Sequence, residues 1–338
     1  MSTLLESLFS YNQMVTRKTF LLLSPDYSDF PQLFLRNLEK EGFSASVITD
    51  TPSRFKYQNN ERVINFFKKT FFKNKDYKKE LIAKHKLKEY FRRIAAIEKD
   101  LDYVLVIRPD LFPISVIKEL KKKTKKLIAY QWDGLEKFPQ VRKYIPLFDS
   151  FFCFDAEDQE NNIKLITNFY FDCLPPTYKV FNHQKPRLYF VGLYWGNREE
   201  KIDRFIAEMS NKDVELSVLI QYCHQAEIKN PKIKYIKNRI TFLENLQNVE
   251  EADVLLDFVD PVHNGLSIRF FEAMYYKKKV ITDNKMVKTY DFYHPDNIFV
   301  IDDNYGEIEN FLKIPYYEIP LEIVEKYSFG SWIKRIIQ

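Results

Sequence analysis

The side chains best suited to chemistry lie in one stretch of the C-terminal half, between Val262 and Asn284. Its residue pattern predicts a loop, then a helix, then a buried strand. The start of a helix offers unpaired backbone N–H groups and the positive end of the helix dipole, and both attract phosphate. Arg269 and Glu272 lie one turn apart near that start. The stretch therefore predicts a site for a phosphorylated ligand.

The run from Gly265 to Thr282 resembles the second-lobe motif of GT-B glycosyltransferases, G-L-S-x-R-x-x-E-A-x-x-x-x-K-x-V-I-T. The resemblance implies a UDP- or GDP-sugar donor whose ribose hydroxyls bind the Glu272 carboxylate, which can accept from both hydroxyls of a vicinal diol. It also implies that Arg269 adds positive charge beside the donor. The loop residues expected to contact the distal phosphate or sugar are Asn264, Gly265, Leu266 and Ser267.

Two features of this motif leave alternatives open. Asn264 stands eight positions before Glu272, where the retaining E-x7-E pattern has its first glutamate, so the motif does not predict retention of configuration. His263 is a candidate for positioning the donor sugar, although an isolated histidine is usually structural. Glu272 itself could merely cap or solvate an ordinary helix, with Arg269 facing water.

A second phosphate-binding segment is predicted where the C-terminal half begins. Gly192 allows close backbone approach, and Arg198 and Lys201, at the start of the next helix, can neutralise a diphosphate. A glycine-bounded turn is often only a turn, and neither a G-x-G-x-x-G nor a P-loop is present. Tyr222 and His224, which follow a later strand, are candidates for flanking the nucleotide base.

The N-terminal half supplies candidate general bases at strand ends. Asp133 belongs to the run Tyr130-Gln131-Trp132-Asp133-Gly134, which is similar to the Y-x-W-D strand end of bacterial polysaccharide-biosynthesis transferases. It could take a proton from an acceptor hydroxyl or cap the next helix. Asp26 is a second candidate base. Arg108 and Asp110 could orient the acceptor.

The elements that position these residues are short apolar strands alternating with amphipathic helices, which is typical of parallel sheets covered by helices. We predict an α/β protein with two Rossmann-like parallel-sheet domains facing each other across a cleft, the GT-B arrangement. Ligands of such sheets bind beyond the carboxyl ends of the strands. The predicted units are an acceptor-side domain at 1–172, a proline-containing linker at 173–186, a nucleotide-sugar-binding domain at 187–320, and a C-terminal helix at 321–338 that packs back across both lobes.

The predicted strands follow from the apolar runs. In the first domain they lie at 19–23, 46–49, 103–107, 126–130, 150–154 and 165–169. In the second they lie at 187–191, 215–220, 233–236, 254–258, 280–282 and 298–301.

The segment 54–100 interrupts this alternation with a mostly helical, basic insertion, which we expect to cover one face of the first sheet. Its lysines and arginines predict either a solvated helical surface or attraction to an anionic membrane. Its interleaved aromatic residues could be core residues or interfacial anchors. Binding of nucleic acid is the least favoured alternative, since no nucleic-acid module accompanies the charge.

Composition limits the class of protein. The chain has 338 residues, 45% of them hydrophobic, and a net charge of +5, which indicates a folded protein of two domains. Its three cysteines are widely spaced and predict neither a disulfide framework nor a zinc site. No signal-peptide pattern or spanning apolar run is seen. We expect a cytoplasmic protein, or one peripheral on the inner face of the cytoplasmic membrane.

Together these patterns predict a glycosyltransferase that transfers a sugar from a nucleotide sugar to a polysaccharide or lipid-linked saccharide in bacterial surface-glycan synthesis. No further cofactor and no nucleic acid are expected. No metal is expected either, because no metal-binding dyad is convincingly placed. Two rivals remain: a GT-B-like nucleotide-sugar epimerase or phosphorylase, and a non-catalytic binding protein that uses the basic face.

Overall fold

The computed structural model describes residues 17–51, 54–73, 76–98, 100–193, 198–221, 230–259 and 265–338. Within them the chain forms two six-stranded sheets, and every strand pair is parallel. The α/β prediction with two Rossmann-like sheets is confirmed. We call the first sheet with its helices the first lobe and the second sheet with its helices the second lobe.

The first lobe has the strand order β2-β1-β3-β4-β5-β6. Its strands are β1 (Thr19–Ser24), β2 (Ser44–Thr49), β3 (Leu101–Ile107), β4 (Thr124–Gln131), β5 (Ser150–Cys153) and β6 (Ile163–Leu165). Its helices are α1 (Phe30–Lys40), α2 (Glu61–Phe71), α3 (Tyr77–Ala95) and α4 (Ile114–Lys121). In the central strands β3 and β4 the residues at 104–107 and 127–131 are all buried, because helices cover both faces of a parallel sheet.

The second lobe has the strand order β12-β11-β10-β7-β8-β9. Its strands are β7 (Arg187–Leu193), β8 (Glu215–Gln221), β9 (Ile233–Ile236), β10 (Val254–Asp257), β11 (Lys279–Thr282) and β12 (Ile298–Val300). Its helices are α5 (Arg198–Glu208), α6 (Phe242–Glu251), α7 (Ile268–Tyr275) and α8 (Ile308–Lys313). Renumbered from β7, this is the order 3-2-1-4-5-6, whose direction reverses between β7 and β10.

The predicted final strand of the first lobe, at 165–169, is wrong in position. The strand β6 ends at Leu165, and the apolar residues after it serve another purpose. Phe169 packs 4.4 Å from Trp332, and Phe171 packs 5.4 Å from Phe30. The run is apolar because it fills the core beneath α1, and a buried loop of this kind has the same composition as a buried strand.

The single C-terminal helix predicted at 321–338 is also wrong. Two helices, α9 (Leu321–Lys326) and α10 (Phe329–Ile337), are separated by Tyr327 and Ser328. Ser328 is extended and caps α10 by accepting a hydrogen bond from the Ser331 N–H at 3.1 Å. The interruption lets the backbone pair with Tyr170, whose N–H donates to the Tyr327 carbonyl and whose carbonyl accepts from the Phe329 N–H.

These two helices carry the chain between the lobes. Tyr327, at the end of α9, packs against Phe271 and Phe292 of the second lobe. The helix α10 packs against α1 and β4 of the first lobe, where Trp332 is wholly buried against Tyr130. Burying an aromatic side chain of this size contributes about 2–3 kcal/mol. The C-terminal segment is therefore part of the core that joins both lobes.

The basic insertion covers the first sheet only in part, which corrects the prediction for 54–100. Tyr90 and Ile94 of α3 are buried against the sheet, and Tyr90 packs 5.9 Å from Phe112. In α2, by contrast, no residue is buried. The reason is that α2 lies on α3 and not on the sheet.

Candidate functional site

Arg269 lies at the point where the strand order of the second sheet reverses. Its Nη1 is 2.5 Å from Asp257 Oδ2, at the carboxyl end of β10. Its Nη2 donates to the Val191 carbonyl of β7 at 2.8 Å. Ser267 Oγ donates to the same Asp257 oxygen at 2.7 Å. Arg269 thus joins β7 and β10 at the crevice where sheets of this order bind their ligands.

Glu272 follows one turn later in α7 and is the most unusual group at this edge. Its side chain is buried, and Oε1 has no hydrogen-bond partner among the described residues. Burial raises the pKa of its carboxyl to about 7, against the lowering effect of Arg269. A buried carboxylate oxygen without a donor is costly, and a ligand hydroxyl would supply the missing donor.

The loop before α7 contacts the first lobe. A Cβ atom at position 265 would lie 2.6 Å from the Phe154 ring and 2.8 Å from the Phe154 carbonyl oxygen, so only glycine fits. Asn168 Nδ2 donates to the Leu266 carbonyl at 2.9 Å, and Asn168 Oδ1 accepts from the Tyr130 hydroxyl at 2.5 Å. This part of the predicted donor loop therefore lies at the boundary between the lobes.

Two of the predicted cations of the second lobe, Lys201 and Arg269, are ion-paired. Lys201 Nζ lies 2.5 Å from Asp283 Oδ2, just beyond the end of β11. The other Asp283 oxygen accepts from the Val259 N–H at 2.7 Å. Arg198 is the first residue of α5. Because Asp257 and Asp283 already hold Arg269 and Lys201, the positive charge facing a diphosphate is smaller than the sequence suggested.

Gly192 lies in β7, next to the carbonyl that Arg269 contacts. A Cβ atom there would come within 2.8 Å of the Phe190 ring. Arg269 carries its guanidinium 5.2 Å from the centre of the same ring. The absence of a side chain at 192 therefore allows Phe190 and Arg269 to pack at the strand end.

Arg108 organises the carboxyl edge of the first sheet. It adopts a left-handed conformation with φ of 56° directly after β3. Its Nε and Nη2 bind both oxygens of Asp110 at 2.8 Å, and its Nη1 binds Asp133. The guanidinium also lies 3.8 Å over the Phe138 ring. Burial would lower the pKa of Arg108, but Asp110 and Asp133 raise it above its usual value.

The two candidate bases differ in their surroundings. Asp133 Oδ2 is engaged by Arg108, and Oδ1 lies 3.5 Å from Lys137 Nζ. Asp26 is exposed, and its N–H donates to Asp50 Oδ1 at 2.7 Å. The structure thus brings Asp133, Arg108 and Asp110 into one cluster, and Asp26 is not among the contacts of that cluster.

Sequence reasoning did not assign roles to two residues of this region. Gln131, the last residue of β4, is wholly buried, and neither its Oε1 nor its Nε2 has a partner among the described residues. Asp29 accepts hydrogen bonds from the Phe242 and Leu243 N–H groups at 2.6 and 2.9 Å, so a first-lobe carboxylate caps α6 of the second lobe. Gln131 stood inside the Y-x-W-D run, but the Asp29 contact had no local signal.

Four predicted residues, Tyr222, His224, His263 and Asn264, lie outside the described residues. Among those that are described, no group of three or more His, Cys, Asp or Glu side chains could hold a metal ion. The described helices include none that is both long and apolar enough to cross a membrane.

The chain is similar in structure to solved proteins. A lipopolysaccharide outer core galactosyltransferase, WaaB, aligns with a TM-score of 0.54 at 14% identity, over 95% of this chain and 99% of that one. An α,α-trehalose-phosphate synthase (UDP-forming) from Burkholderia vietnamiensis aligns with a TM-score of 0.54 at 9% identity, over 95% and 98%. A trehalose-6-phosphate protein from E. coli bound with UDP-2-fluoro glucose gives 0.51 at 10%, over 95% and 99%.

These similarities establish the fold, which is that of GT-B glycosyltransferases and confirms the resemblance seen in the sequence. A scan against known protein families finds no match. A search of curated proteins likewise finds no similar sequence.

Proposed function

We propose that this chain is a glycosyltransferase that moves a sugar from a nucleoside-diphosphate sugar to a glycan or lipid-linked saccharide acceptor in bacterial surface-glycan synthesis. The observation that carries the proposal is Glu272, a buried carboxylate with an unpartnered oxygen beside the crevice of a Rossmann-order sheet. A ribose diol offers two hydroxyl donors to such a carboxylate, which compensates its burial. We propose that the protein lies in the cytoplasm or on the inner face of the cytoplasmic membrane.

The diphosphate would lie against the second lobe. The N-terminal N–H groups of α7 attract its negative charge, and Arg269 and Lys201 add positive charge nearby. Both cations are fixed by acids, Asp257 and Asp283, so their positions are set before the ligand arrives. Preorganised charge of this kind stabilises the leaving nucleoside diphosphate without reorganisation during the reaction.

The acceptor would lie against the first lobe. At the end of β4, Gln131 presents an NH₂ group that donates and a carbonyl oxygen that accepts, and a sugar hydroxyl can pair with either. Asp133 is the candidate base: Arg108 holds Oδ2, and Oδ1, 3.5 Å from Lys137 Nζ, would take the hydroxyl proton. Closure of the two lobes would exclude water and favour transfer over hydrolysis.

The donor class can be tested first. The structurally similar proteins include one bound with UDP-2-fluoro glucose and one described as UDP-forming. A binding screen should therefore test UDP and UDP-hexoses before GDP, ADP and CDP compounds. A ligand that binds only the folded state raises the unfolding temperature. We expect one nucleoside diphosphate to do so in the wild type, and not in Glu272→Gln. The exposed Glu322 provides the matched control, Glu322→Gln, which should respond as the wild type does.

Turnover separates the proposal from its rivals. We expect release of the nucleoside diphosphate from its sugar to depend on an added saccharide acceptor. Conversion of the nucleotide sugar without such release would indicate an epimerase. Binding equal in Glu272→Gln and wild type would overturn the assignment of the donor site.

A further inference from the structure

The helix α2 packs with its polar side toward the protein. Glu61 Oε1 binds His85 Nε2 of α3 at 2.7 Å, and Asn65 Nδ2 donates to the Tyr57 hydroxyl at 3.2 Å. Lys68 Nζ lies 4.0 Å over the Tyr77 ring. These three residues of α2, spaced i, i+4 and i+7, are its least exposed. In a helix that packs on a soluble core, the apolar side takes this position.

The apolar side of α2 consequently faces away from the protein. Phe66 and Phe71 are 62% and 68% exposed, and Phe72, directly after the helix, is 78% exposed. Phe67 stacks on Phe71 with ring centres 5.6 Å apart. The full set of exposed apolar residues here is Val63, Ile64, Phe66, Phe67, Phe71 and Phe72. A contiguous apolar surface of this kind marks an interaction site.

The charge around this surface is strongly positive. Residues 54–93 contain fourteen Lys and Arg side chains against four Asp and Glu, a net charge of +10. The whole chain has a net charge of +5, so the remainder is net negative at −5. Lys69 of α2 is exposed. A cavity of ≈ 400 Å³ between α3 and residues 54–58 is lined by Arg54, Lys56 and Lys88, among others. The positive charge is thus concentrated on the segment 54–93, which also exposes Phe66, Phe67, Phe71 and Phe72.

This combination selects one occupant. A second copy of the chain seated on the same surface would bring two +10 segments together, and the repulsion opposes that contact. Nucleic acid would use the cations but not the aliphatic residues Val63 and Ile64. An anionic bilayer uses both, because its headgroups attract lysine while its interface accepts the apolar side of an amphipathic helix.

We propose that α2 is an interfacial helix, which lies in the plane of an anionic lipid bilayer with its aromatic side inserted. Lys69, Lys73 and the other cations of the α2–α3 hairpin contact the headgroups. The polar contacts of Glu61, Asn65 and Lys68 hold the helix in this orientation on α3. The proposal concerns the first lobe alone and does not depend on the reaction proposed above.

Flotation with lipid vesicles tests the proposal on the full chain. The wild type should bind phosphatidylcholine vesicles that contain phosphatidylglycerol, more weakly as salt is added, and bind pure phosphatidylcholine vesicles poorly. The triple variant Phe66→Ser, Phe67→Ser, Phe71→Ser should lose affinity at least about tenfold, since three buried aromatic rings are removed from the interface. Because these side chains are exposed, the unfolding temperature should not fall.

Two further variants complete the design. Val180, Tyr317 and Leu321 are exposed apolar residues elsewhere, so Val180→Ser, Tyr317→Ser, Leu321→Ser should bind vesicles as the wild type does. Lys69→Glu, Lys73→Glu, which leaves the contacts of Glu61, Asn65 and Lys68 intact, should weaken the preference for anionic lipid. The proposal is overturned if the wild type ignores anionic vesicles, or if the phenylalanine triple binds them equally well. Two other results would also overturn the proposal. One is a wild-type dimer that the phenylalanine triple variant abolishes. The other is salt-sensitive binding of RNA or DNA that is tighter than vesicle binding and that the triple variant retains.

Discussion

The carboxyl edges of the two sheets contain the same kinds of residues, but these residues have different partners at each edge. Each has an arginine that ties neighbouring strand ends together, Arg108 in the first lobe and Arg269 in the second. Each also buries one polar side chain without a partner among the described residues, Gln131 and Glu272 respectively. Arg108 binds two carboxylates, whereas Arg269 binds one carboxylate and one carbonyl.

This difference indicates what each edge can bind. A carboxylate only accepts hydrogen bonds, so Glu272 requires a ligand rich in donors, such as a diol. An amide both donates and accepts, so Gln131 suits a single sugar hydroxyl. At each edge the ion pairs of the arginine hold the strand ends in position. The side chain without a partner, Gln131 or Glu272, decides which ligand the edge binds.

The largest expected effect comes from removing the first of the two arginines. Arg108→Met leaves Asp110 and Asp133 together in a buried site, and we expect the free energy of unfolding to fall by about 3–5 kcal/mol. Arg269→Met should cost less, since Ser267 still donates to Asp257. Denaturant titration measures both. Arg142, a partly exposed arginine paired with the exposed Glu136 and Glu160, gives the control Arg142→Met, with a loss below about 1 kcal/mol. Equal losses for Arg108 and Arg269 would remove the distinction drawn between the edges.

The pH dependence of nucleotide binding tests the second edge. Burial raises the Glu272 pKa to about 7, so below that pH the carboxyl is protonated and cannot accept from both hydroxyls. We expect the affinity for the nucleoside diphosphate to rise about tenfold per pH unit up to pH about 7 and then to level off. Calorimetric titration measures this. The phosphate of the ligand also titrates in this range, and the pH profile of Glu272→Gln measures that contribution alone. An identical pH profile in wild type and Glu272→Gln would contradict the prediction.

The same pKa has a consequence for stability with an opposite sign. The folded protein binds the Glu272 proton more tightly than the unfolded chain, whose ordinary value is 4.5. The contribution of this group to the free energy of unfolding is therefore full below pH about 4.5 and is lost as pH rises to about 7. Replacement by Gln should flatten this part of the stability profile.

Gln131→Leu addresses the first edge with a smaller effect. Removing a buried amide that lacks partners should raise the free energy of unfolding by about 1 kcal/mol. The KM for the acceptor should rise, while the thermal shift given by the nucleoside diphosphate stays unchanged. If the nucleotide response falls as well, Gln131 does not belong to the acceptor side.

The smallest effect concerns the contact between the edges. Asp29→Ala removes the first-lobe carboxylate from the N-terminus of α6, with an expected loss of about 0.5–1 kcal/mol. Thr241 continues to cap that helix, which limits the loss. If the contact keeps the lobes together, solution scattering should show a larger radius of gyration for Asp29→Ala than for the wild type. The radius of gyration of Asp29→Asn should lie between these two values.

Sequence periodicity was sufficient for most strands and for the placement of Arg269 and Glu272 at a helix start. It was not sufficient for contacts between distant parts of the chain, such as Asp29 with Phe242 or Arg269 with the β7 carbonyl, because no local pattern encodes them. Periodicity also shows which residues of a helix form one apolar face, but it does not show whether that face points to the core or to the outside. In α1 the stripe faces the core, whereas in α2 it faces outward, and only the packing on α3 distinguishes the two.

The hydrogen bonds between Tyr170 and the residues flanking Ser328 have a mechanical consequence. The chain passes from the first lobe to the second just after Phe171 and returns at Tyr327 to Phe329, so both passages run side by side at one place. Sliding of the lobes would break this short ladder, whereas rotation about it would not. We therefore expect any opening of the two lobes to turn about this pair of chain segments, with the largest displacement at the groups farthest from it.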